Sequence, residues 1–201
     1  MTLQSHVEDS ASRPSSPMEM LKRVDRTLAV EVAAVLGVRP TLDLVAQVRS
    51  RPPHPAWAAP PLPTDEDVLT RWTAYRVGRL ELTRNVAYVD PRSIAPGLLE
   101  ALEMGRTSLG EVFEDPEIEP EIEKFAFEFG TDEMAARLDP ALFDTIARGG
   151  SHHRPYVWRR YSAALRGTTA FVVIEVLPVE TWDRILGSDE GELARLTGAS
   201  G

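Results

Sequence analysis

The chain of 201 residues contains no cysteine. That removes disulfides, thiolate nucleophiles and thiolate metal sites, and it fits a reducing compartment. No apolar run approaches the roughly 20 residues that span a bilayer. The opening stretch MTLQSHVEDSASRPSSP lacks the basic start and apolar core of a secretory signal. Positive charge is also short: 22 Lys and Arg stand against 31 Asp and Glu, a formal net charge of −9. A general nucleic-acid binder needs a basic footprint, and an anionic membrane surface repels a chain of this sign, so neither partner is expected. These absences together describe a cytoplasmic protein. Missing too are a Gly-rich phosphate loop, a Ser-centred nucleophile elbow and an HExxH pair. His152 and His153 are adjacent, point opposite ways if on a strand, and have no third ligand in view. They read as loop residues, and no metal or other cofactor is expected.

What is present divides the chain into three parts. Residues 1–17 are rich in Ser, Pro and charge and are expected to be a disordered tail. Residues 18–186 have the patterning of a single domain, and 187–201, rich in Gly and Ser, read as a frayed C-terminal tail. Within the domain, Leu21, Val24, Leu28, Val32, Val35 and Leu36 recur at helical spacing, and Gly37 and Pro40 end that helix. A second short helix is expected over Leu42–Val48. The stretch 51–66 is a proline-rich loop, either a semi-rigid connector or a lid. From Asp67 the period shortens to two through VLTRWTAY, and VGRLELTRNVAYVD continues as strand. A helix is expected over Pro96–Met104, a turn at RTSLGEVF, a broken helix or helix–strand junction in EDPEIEPEIEKFAFEFG, and a further helix over Asp139–Arg148. The clearest element is the last: YVWRRYSAALRGTTAFVVIEVLP, two β-rich runs around Arg166-Gly167-Thr168. Strands on short turns with helices at the front and between them predict an α+β fold. Its core would be an antiparallel sheet with helices covering one side.

Two residues carry chemistry by their position. Around Glu175 both faces of the strand are apolar, which predicts a central strand covered on both sides. A carboxyl there must be ion-paired, hydrogen-bonded or protonated, because burying a lone charge costs several kcal/mol at least. One reading is a buried ion pair with a neighbouring arginine; the other is a proton donor with a raised pKa. Arg71 lies mid-strand beside Leu69 and Trp72, away from any turn. It is either exposed on a one-sided sheet or a guanidinium that clamps a carboxylate. An arginine fork and a carboxyl in one apolar pocket suit a small anionic substrate. Arg154, Arg159 and Arg160 form a small basic cluster, either paired with the acidic stretch 111–128 or rimming an anion pocket.

The blocks VLTRWTAY, SLGEVF and RRYSAALRGTTAFVVIEVLP, in this order from about Val68 to Pro178, resemble the chorismate pyruvate-lyase family, especially its actinobacterial and archaeal branch. The resemblance implies a six-stranded antiparallel sheet whose helices form flaps over a buried ligand pocket. It implies an enzyme, a carbon–oxygen lyase that eliminates pyruvate from chorismate to leave 4-hydroxybenzoate, with no cofactor or metal. Position by position, Arg71 falls where the family holds a substrate carboxylate, Leu109 and Gly110 where a turn meets the ligand, and Glu175 where the catalytic glutamate stands. Arg160 is a further candidate for an anionic contact. In this scheme Glu175 protonates the departing ether oxygen and Arg71 holds a carboxylate in register. The chain departs from the family pattern at Ser108, where a proline is usual, and at Asp90-Pro91-Arg92-Ser93. The region before Val68 has no clear counterpart. Those departures leave two other readings open: action on another small acid, as in secondary metabolism, or a non-catalytic effector-sensing domain of the kind that shares this sheet in transcription regulators. Met18–Val48 is too short and too little basic to read as a DNA-binding helix-turn-helix.

Overall fold

Among the described residues six strands carry the fold: β1 (Thr41–Ser50), β2 (Val68–Val77), β3 (Leu80–Val89), β4 (Ile122–Thr131), β5 (Tyr156–Leu165) and β6 (Thr168–Pro178). They form one sheet in the order β1-β2-β3-β6-β5-β4, with every neighbouring pair antiparallel. The computed structural model describes residues 13–23, 28–50, 67–114, 122–133 and 155–198. The hairpin β5–β6 forms because aromatic and β-branched side chains fill both runs and because the two residues between them accept left-handed backbone. Arg166 has φ 54° and Gly167 φ 76°, the pair of positive values that a two-residue hairpin turn with strand-matched twist requires. β6 is buried on both faces from Ala170 to Pro178, as its unbroken apolar run predicts.

The helices pack on one face of this sheet. They are α1 (Pro17–Lys22), α2 (Leu28–Leu36), α3 (Pro96–Glu103), α4 (Leu109–Glu114), α5 (Val179–Gly187) and α6 (Glu190–Thr197). Near one end, Leu102 of α3 and Val112 and Phe113 of α4 pack with Leu69, Ala87, Phe171 and Val173. Near the other, Met20, Leu28, Val32, Trp182 and Ile185 of α1, α2 and α5 pack with Val77, Val157 and Leu177. The opposite face is a separate apolar layer of strand residues, among them Val86, Tyr88, Trp158, Val172 and Ile174. The α+β arrangement implied by the sequence, a six-stranded antiparallel sheet with helices covering one side, is therefore the one observed.

Three local expectations are corrected, and a fourth, the helix–strand junction in the acidic stretch, is met on its strand side. Leu42–Val48 is not a helix but the middle of edge strand β1, where Leu42 and Leu44 pair with Tyr75 and Thr73. Seven residues are too few for periodicity to separate the two states, and the partner strand decides. The helix that opens the domain is two helices, because Arg23 leaves the helical region (φ −76°, ψ 80°) and closes α1. The acidic stretch ends in β4, whose KFAFEF alternation pairs with β5. The C-terminal segment holds α6, capped by Asp189, whose side chain accepts from the Glu192 N–H, and stopped by Gly198 at φ 71°. The proline-rich loop, the helix expected over Asp139–Arg148, His152, His153, Arg154 and most of the N-terminal tail lie outside the described residues. Among the described residues no helix is long and apolar enough to cross a membrane.

Candidate functional site

Two register rows on the helix-bearing face make the floor of a cavity. In the first, Thr73, Asn85, Glu175 and Arg159 are successive partners across β2, β3, β6 and β5. In the second, one pleat repeat along, Arg71, Ala87, Val173 and Tyr161 occupy the same four strands. Strands about 4.8 Å apart and side chains of one face about 7 Å apart set the grain of this floor. Leu28 of α2, Leu42 of β1 and Ser108, Leu109, Gly110 and Phe113 at α4 supply the walls of a small inner space of about 40 Å³. A second, more open chamber of about 340 Å³ adjoins it through the shared residues Leu42, Tyr75, Ser108 and Gly110, and has Arg39 and Arg106 on its walls.

The wall at α4 is set by its own sequence. Ser108 and Glu111 form a reciprocal capping box: Ser108 Oγ accepts from the Glu111 N–H at 3.0 Å, and Glu111 Oε2 accepts from the Ser108 N–H at 2.7 Å. The backbone N–H of Ser108 holds the Glu111 carboxyl below its usual pKa, with the Ser108 and Thr107 hydroxyls adding to the effect. Gly110 lets this turn approach the sheet, since a Cβ there would stand 3.1 Å from the Tyr75 hydroxyl. Ser108 is thus the helix cap of α4.

Arg71 lies at one end of the floor and is 2 % exposed. One of its nitrogens, Nη2, donates to the Thr107 carbonyl at 3.1 Å. Its Nε and Nη1 are buried with no partner, and burial lowers its pKa. At the other end, Glu175 accepts from Arg159 Nε, and Arg159 Nη1 donates to the Leu21 carbonyl of α1 at 2.9 Å. Arg159 also stacks its guanidinium 5.3 Å from the centre of the Tyr161 ring. Burial works against the Arg159 charge, but Glu175 foremost among its neighbours brings the pKa out above the ordinary value. Burial pushes the Tyr161 phenol well up, with the Glu175 charge adding and Arg159 offsetting.

Of the residues singled out in sequence, Arg71, Leu109, Gly110 and Glu175 all line this one cavity. Arg160 does not. It lies one residue from Arg159 and so on the opposite face, where Nη2 donates to Glu128 Oε2 at 2.6 Å across β4–β5. The basic cluster is therefore split by the pleat: Arg159 is a buried partner of Glu175 and Arg160 a surface partner of Glu128. Sequence reasoning missed Thr73, Tyr75, Asn85 and Tyr161 of the floor. Thr73 and Tyr75 were legible as the same face as Arg71, two and four residues on; nothing in the local pattern set Asn85 apart. Among the described residues no group of His, Asp and Glu is placed to hold a metal ion.

No protein-family profile matches the chain, and no curated protein matches it in sequence. Solved structures do resemble it. The PhnF C-terminal domain is 18 % identical, with 70 % of this chain and 84 % of that one covered at a TM-score of 0.47. The ligand-binding domain of a protein described as a GntR-family transcriptional regulator from Bordetella bronchiseptica is 16 % identical, with 69 % and 85 % covered at 0.43. The effector-binding domain of the trehalose repressor of B. subtilis is 10 % identical, with 69 % and 90 % covered at 0.44. At such identities the likeness concerns the fold. Two of these three are described as domains of a transcriptional regulator and a repressor, none as a lyase, and the expectation of a carbon–oxygen lyase is corrected on that finding.

Proposed function

We propose that this chain is a non-catalytic, effector-sensing domain that takes a small organic anion into the cavity between the sheet and α4. One observation carries the reading: Arg71 is a fully buried guanidinium with two nitrogens unpartnered at the cavity floor. Buried polar groups are almost always hydrogen-bonded, and an unpaired buried charge costs several kcal/mol. A carboxylate entering the cavity supplies what Arg71 lacks, two acceptor oxygens suited to a guanidinium fork. The remaining lining (Leu28, Leu42, Ala87, Leu109, Phe113 and Val173) gives an apolar body somewhere to rest. The reading assigns no proton transfer to Glu175, which is bound to Arg159.

Calorimetric titration with phenylacetate and with its uncharged analogue phenylacetamide tests this. The acid binds, the amide binds at least tenfold more weakly, and Arg71→Met removes the difference. Equal affinity for acid and amide, or no binding of either, overturns the reading.

A further inference from the structure

The four large apolar side chains exposed among the described residues, Leu44, Val45, Val48 and Met104, all stand at one margin of the sheet. Three are on edge strand β1, and Met104 follows α3 beside it: a Cβ on the next residue, Gly105, would stand 3.1 Å from Leu44 Cδ2. Each is between 37 % and 57 % exposed. Scattered singly such residues would mean little, but gathered in one place they mark an interaction surface. β1 is 10 residues long and has no strand on its outer side among the described residues. Its outward N–H and C=O groups are therefore a row open to a further strand. The opposite edge, β4, is guarded as edges usually are, by exposed charge at Glu123 and Glu128.

We propose that β1 pairs antiparallel with β1 of a second copy of this chain, joining the two sheets across a two-fold axis between Val45 and Ala46. The bulge at Val45 is what makes the strand self-complementary. A two-fold contact needs a surface that maps onto itself. Leu42 and Leu44 pair with Tyr75 and Thr73, and beyond the bulge Gln47 and Arg49 pair with Arg71 and Leu69. All four partners belong to the helix-bearing face of β2, so these four β1 residues share that face, while Asp43 and Val48 lie on the other. Full antiparallel overlap of two copies sets Leu42 against Arg49, Leu44 against Gln47 and Asp43 against Val48. Every such pair falls on one face. Without the bulge each would be split between the faces, because side chains alternate along a strand. A strand from an unrelated protein would need no such symmetry. Charge agrees with a second copy. Asp43 is held by Arg76 at 2.9 Å and Arg49 by Glu103 at 2.5 Å within the chain, and in this register neither faces a charge on the other β1. The strand is thus neutral on a chain of net charge −9, which leaves it open to the approach of a second acidic chain.

Sedimentation velocity on the full chain at about 100 μM, above the Kd of a micromolar contact, should show a species of twice the chain's 22.2 kDa. Val45 is exposed, so charging it should leave the single chain folded, which thermal melting checks. Beside the two-fold axis each Val45 neighbours its copy. Val45→Lys and Val45→Glu should therefore each weaken the dimer about tenfold or more. An equimolar mixture of the two variants should regain it, as opposite charges meet across the axis, and an effect on folding cannot produce that rescue. The absence of cysteine gives a second readout: oxidation of Val45→Cys should link two chains covalently, and oxidation of Glu123→Cys on the β4 edge should not. A parent that stays monomeric overturns the proposal and leaves the margin to a different partner. A dimer that both charged variants keep, or a mixture that stays monomeric, overturns it too, by placing the join elsewhere or off the two-fold axis. None of these outcomes bears on Arg71, so the anion site stands or falls separately.

Discussion

Two arginines lie on the same face of one sheet, both buried to within 2 % of complete, and they differ in every other respect. Arg159 donates to Glu175 and to the Leu21 carbonyl and stacks beside Tyr161, so strand β5, strand β6 and helix α1 are tied through one guanidinium. Arg71 has a single carbonyl for company. Folding can account for the first, since each part of it is used by another part of the protein. It cannot account for the second, which carries a desolvated charge and two unanswered donors. Arg159 is thus a strut of the fold, and Arg71 is the group on which the proposed anion site rests.

The largest expected effect tests the strut. Arg159→Ala leaves the Glu175 carboxylate buried without its guanidinium and should cost about 3–5 kcal/mol, read by urea denaturation. If that variant is as stable as the parent, the two arginines do not differ as argued. Replacing both partners, Arg159→Met with Glu175→Leu, should restore most of the loss, because a hydrophobic pair of similar volume often matches a buried ion pair. A double variant as weak as Arg159→Ala alone would assign the loss to the Leu21 contact instead.

Arg71→Met should behave in the opposite way. It gives up the bond to the Thr107 carbonyl but also removes a buried, partly unanswered cation, and its unfolding free energy should stay within about 1 kcal/mol of the parent. Anion binding should vanish. An Arg71→Met protein destabilised as much as Arg159→Ala would make both arginines struts.

How much of this contrast could be read in the sequence depends on the residue. Arg71 and Glu175 stood out because a charged side chain broke an apolar alternation, and alternation is what strands show most clearly. The partner of Glu175 did not. Counting back from the turn at Arg166-Gly167 places Trp158 opposite Glu175. The register shift between Ala163 and Ala164 moves the pairing by one residue, to Arg159. A one-residue slip exchanges the faces of a strand, so the choice between Arg159 and Arg160 hung on a bulge that leaves no mark in the amino acids. Asn85 was hidden for a different reason. A polar residue in a half-polar strand, LTRNVAY, looks ordinary until its neighbours across β2 and β6 are known. The same limit explains β1: an edge strand with a bulge at Val45 and exposed Leu44, Val45 and Val48 has little pattern of its own. The reciprocal pair Ser108 and Glu111 did leave a mark, S-x-x-E before an apolar residue, which the reading of RTSLGEVF as a turn passed over.

That cap gives the smallest expected effect and a pH dependence. The Glu111 carboxyl is held below its usual pKa by the Ser108 N–H, so its contribution is fully present above the ordinary carboxylate value and is lost as the pH falls through the lowered one. The group is largely solvent-exposed, which keeps the effect modest. Glu111→Ala should cost about 0.5–1 kcal/mol at neutral pH, and Glu111→Gln should cost less, because a glutamine can still accept from the Ser108 N–H. The acid-side fall in stability between about pH 5 and the lowered pKa should be shallower in both variants than in the parent. Because α4 walls the cavity while Arg71 lies on the sheet, loss of the cap should weaken anion binding only as far as the wall loosens. A few-fold change from Glu111→Ala beside near-complete loss from Arg71→Met would place the affinity in the buried guanidinium. Comparable losses would instead make the helix turn an equal partner in binding.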